Sequence, residues 1–250
     1  MFYAELLKLK RAQLWVVTCI LPLLSVVIGT GNTTANSALI SQTWEGLESQ
    51  ITIFYGLFFC SVGVAVLVAA GWRMEHQGNN WSQVHTMTSN YFNFMVAKIL
   101  VLCLPIFAMN FVLLLGTAIA GKLMLHLAGF PSMGFILAMV LATVAAAPLV
   151  ALQSIFSMWL RSFAAPVGIA LFGTIFAYSA MQKSLLITLV VPYSLLSHSV
   201  LMGSLAVSDS TPVNAQNIAQ TFGVAIVVTI LLALIGSFAL RWRKTLKQAG

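Results

Sequence analysis

Residues 184–206, SLLITLVVPYSLLSHSVLMGSLA, decide the topology of this chain. They are apolar enough for a membrane span, yet Pro192, Ser194, Ser197, His198, Ser199 and Gly203 interrupt them. Proline removes a backbone donor and breaks a helix. After them come a polar loop with Asp209 and Pro212, a clean apolar run from about 220 to 240, and the basic tail RWRKTLKQAG. Charge chooses between the two topologies. If 184–206 turns back without crossing, six spans result and both termini share one side. That side then holds Lys8, Lys10, Arg11, Arg73, Lys98, Arg161, Arg241, Arg243, Lys244 and Lys247, leaving only Lys122 and Lys183 opposite. If 184–206 crosses, the C-terminal basic residues land outside, against the positive-inside rule. Non-helical backbone at membrane depth is tolerated where protein or water satisfies it. The segment therefore reads as a re-entrant helical pair dipping in from outside.

The rest of the chain fits that frame. Of 250 residues, 60% are hydrophobic and 7% charged, with a mean hydropathy of +0.98. A soluble domain carries about a quarter charged residues, so the composition is that of a polytopic all-α membrane protein. No stretch is long and polar enough for a second domain, and residues 1–250 read as one bundle. The net charge of +7 reflects basic cytoplasmic loops and calls for no nucleic-acid partner. Residues 1–13, MFYAELLKLKRAQ, suggest a short amphipathic helix on the inner surface, with Lys and Arg toward anionic headgroups. A signal peptide shares this pattern, but the following run is long enough to span and lacks a clean small-x-small site, so retention is expected. Spans are expected at about 14–29, 51–71, 99–120, 133–158, 164–180 and 220–240, each near the ~20 residues that cross a bilayer. The polar stretch 31–50 reads as an outer loop.

The longest inner interruption is Trp72 to Lys98, WRMEHQGNNWSQVHTMTSNYFNFMVAK. Asn79 or Asn80 could cap a short helix by accepting its first unpaired amides. Trp81, Val84, His85 and Thr88 then share one face. Such a helix would lie across the membrane surface, with Trp81 suited to the interface. With no chemistry elsewhere, this polar elbow suggests that something docks there.

Several classes are excluded by what is missing. No GxxxxGK[ST] loop occurs, so the P-loop route to a nucleotide is closed to this chain. The only carboxylates are Glu5, Glu45, Glu48, Glu75 and Asp209; none falls mid-span, against a proton relay. No HExxH suggests a metalloprotease. His76, His85, His126 and His198 are scattered and read as solvated or interfacial. Cys19, Cys60 and Cys103 lie in apolar runs and read as packing residues, with no metal spacing. Asn110, Gln153, Ser154, Ser157, Thr174 and Tyr178 either line a path or bond neighbouring helices, the latter contributing about 0.6 kcal/mol each. The small residues of 143–148, TVAAAP, suit close helix packing.

The pattern resembles the permease subunits of type-2 ABC transporters, and most the lantibiotic-immunity branch that protects producers against nisin-, epidermin- or mutacin-like peptides. An opening ExxKxKR at Glu5–Arg11, an E-x5-W element from Glu75 to Trp81, and Ala97-Lys98 at the third span carry the resemblance. The order of six spans, elbow and late re-entrant pair is also similar over the full length. Thr86-Met87-Thr88-Ser89 departs from it, since relatives commonly have a proline-containing turn there. The resemblance implies a bacterial plasma-membrane permease, not itself an enzyme, with both termini cytoplasmic. It would pair with a second permease, identical or homologous, on two copies of an ABC ATPase that bind ATP and Mg. The elbow would be the coupling helix, contacted through Glu75, Asn79, Asn80, Trp81, Val84 and His85. An amphiphilic peptide would leave past Asn110, Gln153, Tyr178, Tyr193, Ser197 or His198. A permease for another lipid or drug, or a membrane enzyme or assembly factor without an ATPase, stays open as an alternative.

Overall fold

The computed structural model describes residues 2–11, 14–77, 80–88, 90–205 and 210–248, and at 9–11, 80, 83, 85, 87 and 244–248 the backbone alone. Among the described residues the protein is all helical. A short helix, α1 (Phe2–Arg11), precedes α2 (Trp15–Ala35). Then α3 (Trp44–Phe54) runs through a π-helical turn (Tyr55–Phe59) into α4 (Cys60–Arg73) and a final tight turn (Met74–His76). The short α5 (Asn80–Met87) leads to α6 (Tyr91–Leu123), α7 (Met133–Trp159) and α8 (Ala164–Met181). Two short helices, α9 (Leu185–Val190) and α10 (Pro192–Leu201), precede the long α11 (Ala215–Gln248). Six helical stretches are long and apolar enough to cross a membrane: Trp15–Ala35, Trp44–His76, Tyr91–Leu123, Met133–Trp159, Ala164–Met181 and Ala215–Arg243.

Segment 184–206 supplies no seventh. Val191 is extended, at φ −80° and ψ 119°, and Pro192 opens α10 at its first position. A proline there loses no intrahelical bond, because that amide has no partner in any helix. Neither short helix reaches the ~20 residues of a span.

Helix α7 is the hub. It packs against α4, α6, α10 and α11, and Ala142, Ala145, Ala146 and Ala151 on it are fully buried. In lipid, helices associate through close packing of small residues rather than through water exclusion. Around this hub, α2 lies on α3 and α6, and α8 lies on α4 and α10. Gly29 marks the tightest crossing of α2 with α3, where a Cβ would meet the Ile51 backbone at 2.7 Å.

The polar segments are more helical than the sequence suggests. The outer loop expected at 31–50 shrinks to about 36–43. Thr33 and Thr34 stay helical because their hydroxyls donate to the carbonyls of Gly29 and Thr30. Thr43 then caps α3 by accepting from the Gly46 amide, so Glu45 and Glu48 sit on a helix rather than in a loop. Asn90 caps α6 in the same way, accepting from Phe92 and Asn93. That start places Lys98 two turns inside a helix and 2% exposed, not at a loop edge.

Candidate coupling and ligand sites

Two ends of the bundle carry polar architecture. At one end α1, the 72–90 elbow, the start of α6 and the C-terminal part of α11 converge. At the other lie the α9–α10 pair, the start of α7 and the end of α8.

The first end is built on four charges. Glu75 Oε1 accepts from Lys8 Nζ and from Lys98 Nζ, each at 2.6 Å. Glu5 completes the set, its Oε1 2.7 Å from Lys8 Nζ and its Oε2 3.0 Å from Lys98 Nζ. Glu5, Glu75 and Lys98 are buried, while the Lys8 side chain is about a third exposed. Two positive and two negative groups cancel, which is how charges are held out of water. Partial burial works against the Lys8 ammonium, but its bonds to Glu5 and Glu75 outweigh that and raise its pKa above the ordinary lysine value. The expected orientation of Lys8 toward lipid headgroups is corrected: its ammonium is turned onto two carboxylates.

An aromatic column continues from the quartet. Lys98 Nζ lies 4.5 Å from the centre of the Trp72 ring. Trp72 stacks on Trp81 at 6.0 Å, and the Arg243 guanidinium covers Trp81 at 3.9 Å. Such cation–π contacts strengthen with desolvation. Arg243 also donates to the Met158 carbonyl at the end of α7. His76 Nε2 lies 2.8 Å from the Ser157 carbonyl, and its Nδ1 3.3 Å from the indole nitrogen of Trp81. A carbonyl only accepts and an indole only donates, so the proton sits on Nε2. The bonding pattern thus assigns a neutral ring.

This arrangement redistributes the six elbow candidates. Glu75, 1% exposed, faces the quartet, and Trp81 and Val84 are buried on the inward face of α5. Trp81 was expected at the membrane interface; in the structure Trp72 and Arg243 lie against its ring. Helix α5 begins at Asn80, whose side chain, like that of His85, lies outside the described residues, as does Asn79 altogether. Among the described side chains of α5, Ser82 and Thr86 are exposed. The charge quartet was missed because its partners lie 67 and 23 positions apart. Glu5, Lys8, Glu75 and Lys98 were nevertheless all within the motifs that carried the resemblance.

At the second end, the path candidates divide. Asn110 accepts from the Tyr55 hydroxyl at 2.7 Å and donates to Thr143 Oγ1 at 2.9 Å, tying α6 to the π-helical turn and to α7. Gln153 on α7 donates to the Tyr193 hydroxyl. The Tyr193 ring fills the space left by Gly173, where a Cβ would come within 2.5 Å of it. Ser197 is 1% exposed and its hydroxyl has no partner among the described residues. These four belong to helix contacts inside the bundle. Tyr178 and His198 instead line one cavity of about 320 Å³ with Gln182, Thr188 and Thr211. His198 is 8% exposed, which corrects the reading of it as solvated. On the other flank of α10, a cavity of about 330 Å³ is lined by Glu45, Glu48, Ser132 and Ser204. Glu48 is held there by the amide and hydroxyl of Ser132, both 2.6 Å away.

A family model described as ABC-2 family transporter protein matches residues 1–177, well over half of the chain. The chain belongs to the ABC-2 transporter family. It is therefore the membrane permease component of an ABC-2 type transporter, and nucleotide binding in such transporters lies on partner ABC ATPase subunits. The match takes in α1, the quartet and the elbow and ends within α8, before the α9–α10 pair and α11. No curated protein and no solved structure matches this permease.

Proposed function

We propose that this permease is the membrane part of an ATP-driven exporter that clears amphiphilic antimicrobial peptides of the lantibiotic type from the cell surface. It works as one of two permeases, the same or related, on a pair of ATPases, with both termini and α5 in the cytoplasm. The observation that supports a coupling role is the union of α1, the elbow, α6 and α11 through the quartet and the Trp72–Trp81–Arg243 column. A push on α5 passes through packed rings and buried charges into three spans rather than being lost in a loose loop. Trp81, Val84 and Glu75 act as the internal linkage, and the exposed Ser82 and Thr86 meet the ATPase. The α9–α10 pair enters the membrane from outside and returns. The peptide class rests on the resemblance of Glu5–Arg11, Glu75–Trp81 and Ala97-Lys98.

The test changes the outward face of α5 and leaves the core alone. Ser82→Glu and Thr86→Glu together place two charges where the ATPase docks. With the ATPase present, wild type should co-purify with it and show peptide-stimulated ATP hydrolysis; the double variant should lose the stimulation at unchanged expression and melting temperature. Undiminished stimulation would sink the coupling assignment. Cells carrying wild type should tolerate lantibiotics better than cells without it; stimulation by other amphiphiles with no gain in tolerance would reject the peptide class alone.

A further inference from the structure

The cavity between α8 and α10 gathers polar side chains that the helix contacts described above do not use. His198 is more than nine-tenths buried, lines this cavity, and has no hydrogen-bond partner among the described residues. A histidine that lines a cavity and bonds no protein group can donate a hydrogen bond to an occupant or accept one from it. Around it stand further hydrogen-bonding groups. Thr188 uses its proton on the carbonyl of Ser184, at 3.0 Å, which leaves its oxygen able to accept. Tyr178 and Gln182, at the exposed end of α8, add a hydroxyl and an amide. Leu57, Leu185 and Leu201 supply apolar wall, and Thr211 a further hydroxyl. Among the described residues no carboxylate, lysine or arginine lines it. A charged ligand would find no counter-ion among those residues, and an unpaired buried charge is far more expensive than a bonded neutral group. The volume of about 320 Å³ is that of a small-ligand pocket.

We infer that this cavity binds the uncharged, hydrogen-bonding head of an amphiphile whose apolar part lies along α8. His198 and Thr188 bond the head at the closed end, and Tyr178 and Gln182 close over it from the rim. The apolar part has a surface to follow, because Phe172, Ile175 and Phe176 on α8 are exposed. The neighbouring cavity that holds Glu45 and Glu48 differs in kind, since two carboxylates line it. That the ligand is then moved outward rests on the export reading; that it binds does not.

Three photoreactive probes with the same hexadecyl chain test this on the full-length permease in nanodiscs, without ATPase or ATP. Their heads are glycerol, carboxylate and trimethylammonium, and labelled residues are found by mass spectrometry. The glycerol probe should label peptides around 178–188 and 198–205 at least about fivefold more than either charged probe, the discrimination expected from one net hydrogen bond or more. His198→Leu and, separately, Tyr178→Phe should each reduce that labelling and leave labelling of the lipid-facing side of α2 unchanged. The Tyr178 change removes only a hydroxyl at a half-exposed position, so it reports even if the buried substitution unfolds the chain. Equal labelling by all three probes, or labelling indifferent to both variants, would overturn the site. Excess lantibiotic separates the sources of the head. Displacement of the glycerol probe assigns the site to the exported peptide; displacement by monoacylglycerol alone assigns it to a membrane lipid and removes support from the export path, not from the site.

Discussion

Glu75 is the residue on which the elbow end depends most. One of its oxygens carries both lysine contacts, so Glu75→Gln leaves Lys98, 2% exposed, facing only Glu5. Breaking a buried pair from one side costs about 3–5 kcal/mol. The variant should therefore melt far below wild type in detergent, and Glu75→Gln with Lys98→Met should recover a substantial part of that loss. A double variant no more stable than the single would show that the quartet is not the source of the effect. At Asn110 the expectation is milder. Asn110→Leu removes bonds to Tyr55 and Thr143 at about 0.6 kcal/mol each by the membrane-protein average. Stability should fall by roughly 1 kcal/mol, and the range of exported substrates should stay as it was. A changed range at normal stability would return Asn110 to the path. At this scale the sequence was least informative. Hydropathy marks Asn110 and Gln153 as polar within spans, but whether an amide faces a neighbour or a channel depends on the partner helix. Ion pairs between positions 8, 75 and 98 cannot be read from local spacing. They exist only once α1 has folded back onto α6.

Among the elements, the Arg243 guanidinium on Trp81 joins α5 and α11, with the Met158 carbonyl as a third party. Trp81→Ala should destabilise by about 3 kcal/mol as a buried aromatic truncation, and Arg243→Ala by less. Their effects should fall short of additive, since contacting residues couple by about 0.5–3 kcal/mol in a double-mutant cycle. Strict additivity would deny the column. The α9–α10 pair carries the topological prediction. Single cysteines replacing Thr34, Ser210 and Gln248, in a background without Cys19, Cys60 and Cys103, should divide under an impermeant thiol reagent on intact cells. Positions 34 and 210 should label and 248 should not. Labelling at 248 would reverse the assignment of the termini. Elements were far more legible than single contacts. Length and apolarity locate all six candidate spans, and Pro192 explains why 184–206 makes two helices. The ends drifted because caps such as Thr43 and Asn90 extend helices into polar sequence. The inward turn of the Trp81 face was hidden because its cover, Trp72 and Arg243, comes from two other helices.

For the whole molecule, the two polar ends lie across a core in which α7 touches α4, α6, α8, α10 and α11. If the elbow couples as proposed, movement there has a route to the cavities beside α10 through that hub, whose two ends carry Ser157 against His76 and Ser132 against Glu48. Replacing Ala146, fully buried on α7, by Leu should cost about 1–3 kcal/mol through overpacking and weaken peptide-stimulated ATP hydrolysis more than basal hydrolysis. Equal losses in both would mean that the substitution acts on stability alone. The family could be read from the sequence because its motifs are the groups that meet at the elbow. The cavity beside His198 could not, because its walls come from α8, α10 and the 210–211 stretch, which only folding brings together.

The position of Arg243 along the chain also sets an order of events during synthesis. Trp81 leaves the ribosome 162 residues (243 − 81) before the guanidinium that covers it. At ~5–20 residues per second this is a wait of roughly 8–30 s. Throughout that interval the Arg243 contact on Trp81 cannot form. Closure of that side of Trp81 therefore waits for α11. A chain stopped at residue 240 should still insert its helices yet bind the ATPase less tightly than one that includes Arg243, and equal binding would show that this contact does not prepare the elbow for docking.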